Sequence, residues 1–388
     1  MQNNIFKSSV PYVFFTLIGI LLRATITAMS PIKAELASKY SLSMMEVGFV
    51  GSLPLIIFCI TSLFVPILTN RIGIDKVIFS FFILIIAGHC LKLINRWSFV
   101  LIGISVMAIG ISIANVLIPA IIKILPIDKR YGMGAYTSGL NFWAGFGIYI
   151  SPFIYKSRLG ENGIYSFYIL VAILMLAIWY FVKKENQIYL DEFTIFEKPV
   201  GVTKGKLLYL ICIHSGLQSL LFYTLTMWLY PIFIEAGYST WFSSMMVFII
   251  QIISVFSALL CPILYVKRAN IIIRCFPILY VFSVILAFFI DNASIFLVLS
   301  LAVFMGIGMG NGISLNMTLI FLKSKDAKDL INLSAISQAV GYGIASIGPT
   351  TFGYLKDISG GYSISLSILF ILSFIFYLAG EKIYSIKV

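Results

Sequence analysis

Twelve runs of roughly 20 apolar residues follow one another along this chain, separated mostly by short polar connections. About 20 helical residues are what a hydrocarbon core of about 30 Å requires. In that medium each backbone amide must find its partner within its own segment, so the runs are predicted to be helices. They cover roughly 10–30, 46–68, 77–95, 98–122, 131–154, 164–182, 207–234, 241–266, 271–290, 293–322, 330–355 and 361–380. With 60% apolar and 11% charged residues, against about 25% charged in soluble domains, a water-soluble globular fold is excluded. The chain reads as an all-α, polytopic membrane protein.

Charge sorts the ends of these spans. The net charge of +12 would point to nucleic acid in a soluble protein, but here the basic residues lie in inter-span connections, where they set topology. Nucleic-acid binding is therefore rejected. If both termini are cytoplasmic, that side collects nineteen of the 27 Lys and Arg, including Arg71, Lys129, Arg130, Lys183, Lys184, Lys267 and Arg268, and the other side seven. The asymmetry predicts cytoplasmic termini. The first apolar run is full length and lacks a cleavage site, so it is read as a retained span. Cys59, Cys90, Cys212, Cys261 and Cys275 show no metal or disulfide spacing, and no cofactor or metal is expected. No HExxH, G-x-S-x-G or deep acid pair supports an enzyme.

The longest hydrophilic stretch, 183–206, divides the chain into predicted six-span bundles over 1–182 and 207–388, with the stretch itself as a cytoplasmic linker. An offset of 200 residues aligns Leu22-Arg23 with Phe222-Tyr223 and Pro31-Ile32 with Pro231-Ile232. An offset of 197 aligns Asn141 with Gln338 and Pro152 with Pro349. Two such halves related by an axis along the membrane normal place a solute site at their interface near the midplane.

Arg23 lies deep in the first span with no acid in the same segment. A guanidinium there costs between about 3 and 17 kcal/mol depending on snorkelling, so it is expected to face an interior aqueous cavity and to favour an anion. Its alternative is an outward snorkel toward the span end near Lys33. Helical spacing puts Thr16, Arg23, Thr27 and Ser30 on one stripe. Ser105, Ser112, Asn115 and Pro119 share a face of span four, His214 and Gln218 one of span seven, and Ser219, Tyr223, Thr226 and Tyr230 an adjoining one. Gly308, Asn311 and Thr318 stand in span ten. Such polar groups also hydrogen-bond within or between helices without any ligand. Tyr223, Trp228 and Tyr342 suit the walls of a site for a planar ligand, or simple packing. Lys92, near a span end, is expected to snorkel. The glycines of 305–312 lack the strand context of a nucleotide loop and are read as helix-packing residues.

Between spans two and three, Pro66-Ile-Leu-Thr-Asn-Arg-Ile-Gly-Ile-Asp-Lys76 resembles a degraded major facilitator loop motif. Leu68, Arg71, Gly73 and Lys76 keep the pattern, whereas its acidic position is Asn70. Longer matches are Gly216-Leu-Gln-Ser-Leu-Leu-Phe-Tyr223 followed by Trp228 and Pro231, and Ser337-Gln-Ala-Val-Gly-Tyr342 followed by Gly348-Pro349, Gly353 and Asp357. Leu22-Arg23 with Thr27 and Pro31, and Gly110 to Lys123, agree with them. These segments are similar to the cyanate and 2-nitroimidazole transporter branch of the major facilitator superfamily.

That resemblance implies a twelve-helix fold of two pseudo-symmetric bundles, with spans one, four, seven and ten lining a central cavity. It also implies a monomeric, multi-pass protein of the plasma (inner) membrane. The expected activity is transport of a small anion, carboxylate-like or cyanate-like. Arg23 would pair its charge, Thr27, Asn115, Gln218, Gln338 and Asn311 would hydrogen-bond it, and Tyr223 and Tyr342 would form its walls. All fifteen acids fall in connections or near span ends, so no deep carboxylate is available for a proton relay. His89, His214 and Glu46 are the candidates for proton coupling. The alternatives are export of neutral or weakly basic heteroaromatic compounds and a non-transporting receptor or scaffold.

Overall fold

The computed structural model describes residues 2–29, 32–41, 44–125, 127–155, 157–185, 206–291 and 293–386. Most of the expected linker, together with Ser30 and Pro31, lies outside these residues, as do the side chains of Glu35, Glu46, Pro152 and Asp357.

The first span comprises α1 (Gln2–Leu17), a π-helical turn (Ile20–Ala24) and the short α2 (Thr25–Thr27). Then follow α3 (Lys33–Tyr40), α4 (Met44–Ser62), α5 (Val65–Ile72), α6 (Ile74–Lys92), α7 (Trp97–Ile124), α8 (Lys129–Tyr155) and α9 (Gly160–Glu185). The second part runs through α10 (Lys206–Glu235), α11 (Thr240–Asn270), a π-helical turn (Ile271–Cys275) leading into α12 (Phe276–Ala287), α13 (Ile295–Lys323), α14 (Ala327–Ser359) and α15 (Ser363–Ser385). Among the described residues ten helices are long and apolar enough to cross a membrane. The pair α4 and α5, bent by 51°, adds an eleventh when the two are taken together as one broken span. The remaining expected span is α8, 27 residues long, whose buried Thr137, Ser138, Asn141 and Ser151 make it more polar than its neighbours.

Local chemistry sets several ends. Ser239, Ser294 and Asp326 adopt extended conformations and accept hydrogen bonds from Phe242, Leu297 and Asp329 amides, capping α11, α13 and α14. Gly360, at φ 72°, closes α14 in the left-handed conformation that glycine adopts without Cβ strain. The loop motif is largely helical: Asn70 and Arg71 belong to α5, and Lys76 to the first turn of α6. Gly73 joins the two helices at φ 86°, which explains its place in the motif. Asp75 pairs with Lys183 at the end of α9, and no ion pair of Arg71 or Lys76 is found among the described residues.

Small residues set how closely the helices cross. Gly88 of α6 and Gly103 of α7 face each other, and a Cβ on either would lie 2.6 or 2.4 Å from the other's carbonyl oxygen. Between the first six and the last six spans, α4 packs on α14 and α8 on α11. At the end of the molecule that carries residues 124, 128, 323 and 386, Tyr12 Oη accepts from the Asp128 amide at 2.9 Å. There a hydrogen bond from Arg130 holds the Asp128 carboxyl down to about 2. At the opposite end Lys39 of α3 pairs with Glu161 of α9 at 2.6 Å. Burial and a hydrogen bond to the same Glu161 push the Tyr40 phenol above its usual range.

Candidate functional site

Arg23 is 5% exposed, so it does not snorkel outward. Its Nη1 donates to the hydroxyl of Tyr223 in α10, and its guanidinium carbon lies 5.4 Å from the Tyr223 ring centre and 5.9 Å from that of Phe222. The two residues aligned by the 200-residue offset thus meet across the two parts of the chain. Nε of Arg23 is buried without a partner. Among the described residues no carboxylate lies within ion-pair distance of the guanidinium.

The π-turn explains why Arg23 separates from the rest of its expected stripe. A π-turn inserts one residue into the helical repeat, so residues before and after it no longer share a face. Thr16 bonds back to the Tyr12 carbonyl at 3.0 Å, and its own carbonyl accepts from Trp143 Nε1 of α8 at 2.9 Å. Thr27 donates to the Ala144 carbonyl of α8 at 2.9 Å. Arg23 alone of the three bonds to the last six spans.

A cavity of about 90 Å³ opens beside this contact, toward the end opposite residues 124 and 386. Its walls include Thr25 and Thr27, Pro54 of α4, Lys92 of α6, Met107 of α7, Tyr223 and Thr226 of α10 and Pro349 of α14. Thr226 Oγ1 is buried without a partner. That exceeds the roughly 10 to 15 Å³ of such space that a single water needs, so the cavity can hold water or a small solute.

On the other side of Arg23 a polar layer joins the two parts of the chain. Asn115 Nδ2 donates to Tyr342 Oη at 3.3 Å, Tyr136 Oη donates to Asn115 Oδ1 at 3.4 Å, and Gln338 Nε2 donates to the Asn115 carbonyl at 3.0 Å. Gln338 Oε1 has no partner. Tyr342 also packs on Phe58 at 4.9 Å and on Tyr223 at 6.3 Å between ring centres. The structure therefore brings Arg23, Tyr223, Tyr342, Asn115 and Gln338 together. Asn115→Ala strands the Tyr136 hydroxyl and removes the donor to Tyr342. Because those contacts are long, a loss of about 1 to 2 kcal/mol is expected, read as a lower unfolding midpoint in detergent.

Further toward residues 124 and 386, Thr137 and Ser314 hydroxyls meet at 3.0 Å, and Ser314 donates to the Ala258 carbonyl at 2.7 Å. Beyond them Lys123 Nζ of α7 donates to the Ser324 carbonyl and hydroxyl at 2.7 Å each and to the Phe321 carbonyl at 3.2 Å. A cation at the C-terminus of α13 meets its free carbonyls and the negative end of its dipole. The molecule is thus tied together on that side and open into a cavity on the other.

Other candidates lie apart from this group. Asn311 donates to the Ile272 carbonyl at 3.0 Å. His214 bonds to Asn316 at 3.1 Å and packs on Phe376, within the last six spans. His89 stacks on Tyr168 at 5.4 Å with both ring nitrogens unpartnered. Gln218 accepts from Ser219 at 3.4 Å. Trp228 Nε1 donates to the Pro349 carbonyl at 2.9 Å, which makes it a helix tie. Lys92 reverses its expectation: it is 0% exposed, because α7 crosses α6 at Gly88 and Gly103 and covers it. Sequence reasoning also missed Tyr136 and the tie made by Lys123, which reads only as topology-setting charge.

The model of the family described as Major Facilitator Superfamily matches residues 15–349. The chain is 27% identical over 365 residues to the uncharacterized transporter YycB of Bacillus subtilis, covering 92% of this chain and 90% of the relative. It is 26% identical over 367 residues to the 2-nitroimidazole transporter of Escherichia coli, covering 94% and 92%. For the cyanate transport protein CynX of Escherichia coli the identity is 22% over 359 residues, covering 89% and 90%. Among solved structures, the proton:xylose symporter XylE superposes with a TM-score of 0.74 at 17% identity, covering 98% of this chain and 96% of that one. The human organic anion transporter MFSD10 gives 0.69 at 11% identity, covering 96% and 99%.

Proposed function

The chain belongs to the major facilitator superfamily, and from that premise we propose that it carries a small anion across the membrane by alternating access, with Arg23 as the selecting charge. Membership of this family makes it a multi-pass transporter of small solutes rather than an enzyme. The observation that carries the finer reading is the buried guanidinium beside the cavity, bonded to a neutral phenol and paired with no acid among the described residues. Its planar fork offers a carboxylate or a cyanate-like anion two parallel hydrogen bonds, once Tyr223 moves aside.

In this reading the two six-span bundles rock about the α4–α14 and α8–α11 contacts. Both termini face the cytoplasm, and the chain works as a monomer in the plasma membrane. The cavity then opens outward while the Lys123 tie closes the cytoplasmic side. Lys123→Met removes three ammonium contacts with backbone and hydroxyl oxygens, each of the charged kind worth about 1.5 to 3 kcal/mol. It is expected to shift the population at least about tenfold toward the inward-open form. The readout is alkylation of buried Cys261, one turn from Ala258, by a membrane-permeant reagent, with exposed Cys90 as internal reference. An unchanged Cys261 rate would remove the tie from the mechanism.

The reading as a whole is tested by a thermal-shift panel of small carboxylates, cyanate, nitrate and azoles on the purified protein, followed by liposome uptake of the hits with and without a pH gradient. Binding and uptake of anions support it. A second reading, transport of neutral heteroaromatic compounds, draws on the aromatic cluster of Phe58, Tyr223 and Tyr342 and on the relative named for 2-nitroimidazole. Azole hits without anion hits would select that one.

A further inference from the structure

Lys92 presents an electrostatic problem that the site as described does not use. It ends α6, is 0% exposed and lines the same cavity as Tyr223, the partner of Arg23. Its ammonium rests 3.8 Å from the sulfur of Met107, another lining residue, and 5.4 Å from the centre of the Tyr165 ring. Neither a thioether nor a ring face replaces the water that an ammonium gives up on burial. Among the described residues no carboxylate lies within ion-pair distance of it. The side chain is also held in place: a Cβ on Gly103 would come within 2.8 Å of Lys92 Cγ, so the α6–α7 crossing admits the lysine stem only because residue 103 is glycine.

Two basic side chains therefore flank this cavity without opening onto it in this structure, Lys92 at 0% exposed and Arg23 behind Tyr223, and both must turn toward it to reach a ligand. Two buried basic groups without a fixed counter-charge are costly to hold charged, and a ligand with one negative group compensates only one of them. We propose that the cavity takes a small dianion with an acidic group at each end, a short dicarboxylate in chemical class, with Arg23 holding one end and Lys92 the other. This rests on the anion-site reading above and adds the second charge to it. The cavity is also lined by apolar Pro54, Leu55, Ile104 and Met107, which suits a short methylene chain.

The test compares succinate with butyrate, equal in carbon number and different by one acidic group, by direct binding to the purified full-length protein. The parent protein is expected to bind succinate about tenfold tighter or more. Lys92→Met, which keeps an unbranched stem, and Lys92→Gln are each expected to weaken succinate by about tenfold to a hundredfold and to leave butyrate within about threefold. Arg23→Gln is expected to weaken both ligands. Parent protein that does not distinguish the two acids overturns the proposal without any variant being needed. So do charge-removing variants at Lys92 that affect both acids equally or neither, while Arg23→Gln still weakens both; the anion site then stands and the second charge falls. Parent protein that binds 2-nitroimidazole but neither acid overturns the anion site itself, and the dianion with it.

Discussion

Arg23→Gln is expected to abolish useful affinity for every anion this protein binds, lowering it by about 30- to 1,000-fold. Truncating one partner of a buried, hydrogen-bonded charge pair costs about 2 to 4 kcal/mol, and each 1.4 kcal/mol is about tenfold. Glutamine keeps a donor for the Tyr223 hydroxyl, so helix contacts around the π-turn are largely retained and the loss reports on charge. Arg23→Lys keeps the charge but not the planar fork, and an intermediate loss of about tenfold is expected. Binding of neutral azoles, if there is any, should change little in either variant. Direct titration of the anions found by the panel, on variants matched for unfolding temperature, measures this. Equal affinity in Arg23→Gln and the parent would sink the charge-pairing assignment.

Gly310→Ala has the second large effect, on folding rather than on binding. A Cβ at 310 would lie 2.0 Å from the Ser254 carbonyl oxygen and 2.7 Å from its carbon. Both are backbone atoms of α11, which no rotamer change can move, so the two helices must separate. Overpacking a tight core costs about 1 to 3 kcal/mol, and occasionally more. A backbone clash of this kind belongs at or above the upper end. The expected result is loss of most monodisperse protein on gel filtration. Gly361→Ala, whose added Cβ would meet no atom within 4 Å, is the matched control and should behave as the parent. Normal yield and unfolding temperature for Gly310→Ala would show that α11 and α13 are not packed this closely.

Much of the architecture is legible in the chain. Apolar runs of spanning length predict helices because lipid offers the backbone no other partner, and the observed helices lie within a few residues of nearly all those runs. The bend between Ser62 and Val65 is not legible, since span two reads as one apolar run. Arg23 stands out in sequence because a charge amid apolar residues needs no context to be costly. Its contact with Tyr223 is foreshadowed only as a repeat offset. An uninterrupted helical period assigns Thr16 and Thr27 to its face, and the π-turn at Ile20–Ala24 invalidates that count. The snorkelling expected of Lys92 fails because distance from a span end measures access to water only when no other helix covers that end.

The sequence by itself determined that this chain spans a membrane as a bundle of helices, and that one cation is held in its interior. Both follow from transfer energies that act residue by residue. Only the tertiary structure decided which polar groups meet: that Arg23 reaches Tyr223, that Asn115 gathers Tyr136, Tyr342 and Gln338, and that Lys92 and Lys123 are buried or bonded rather than solvated. Those meetings depend on how far each helix is rotated and how closely it crosses its neighbours. Rotation and crossing distance are set jointly by pairs such as Gly88 with Gly103 and Gly310 with Ser254, and no local window of sequence contains both members of such a pair together with the geometry between them.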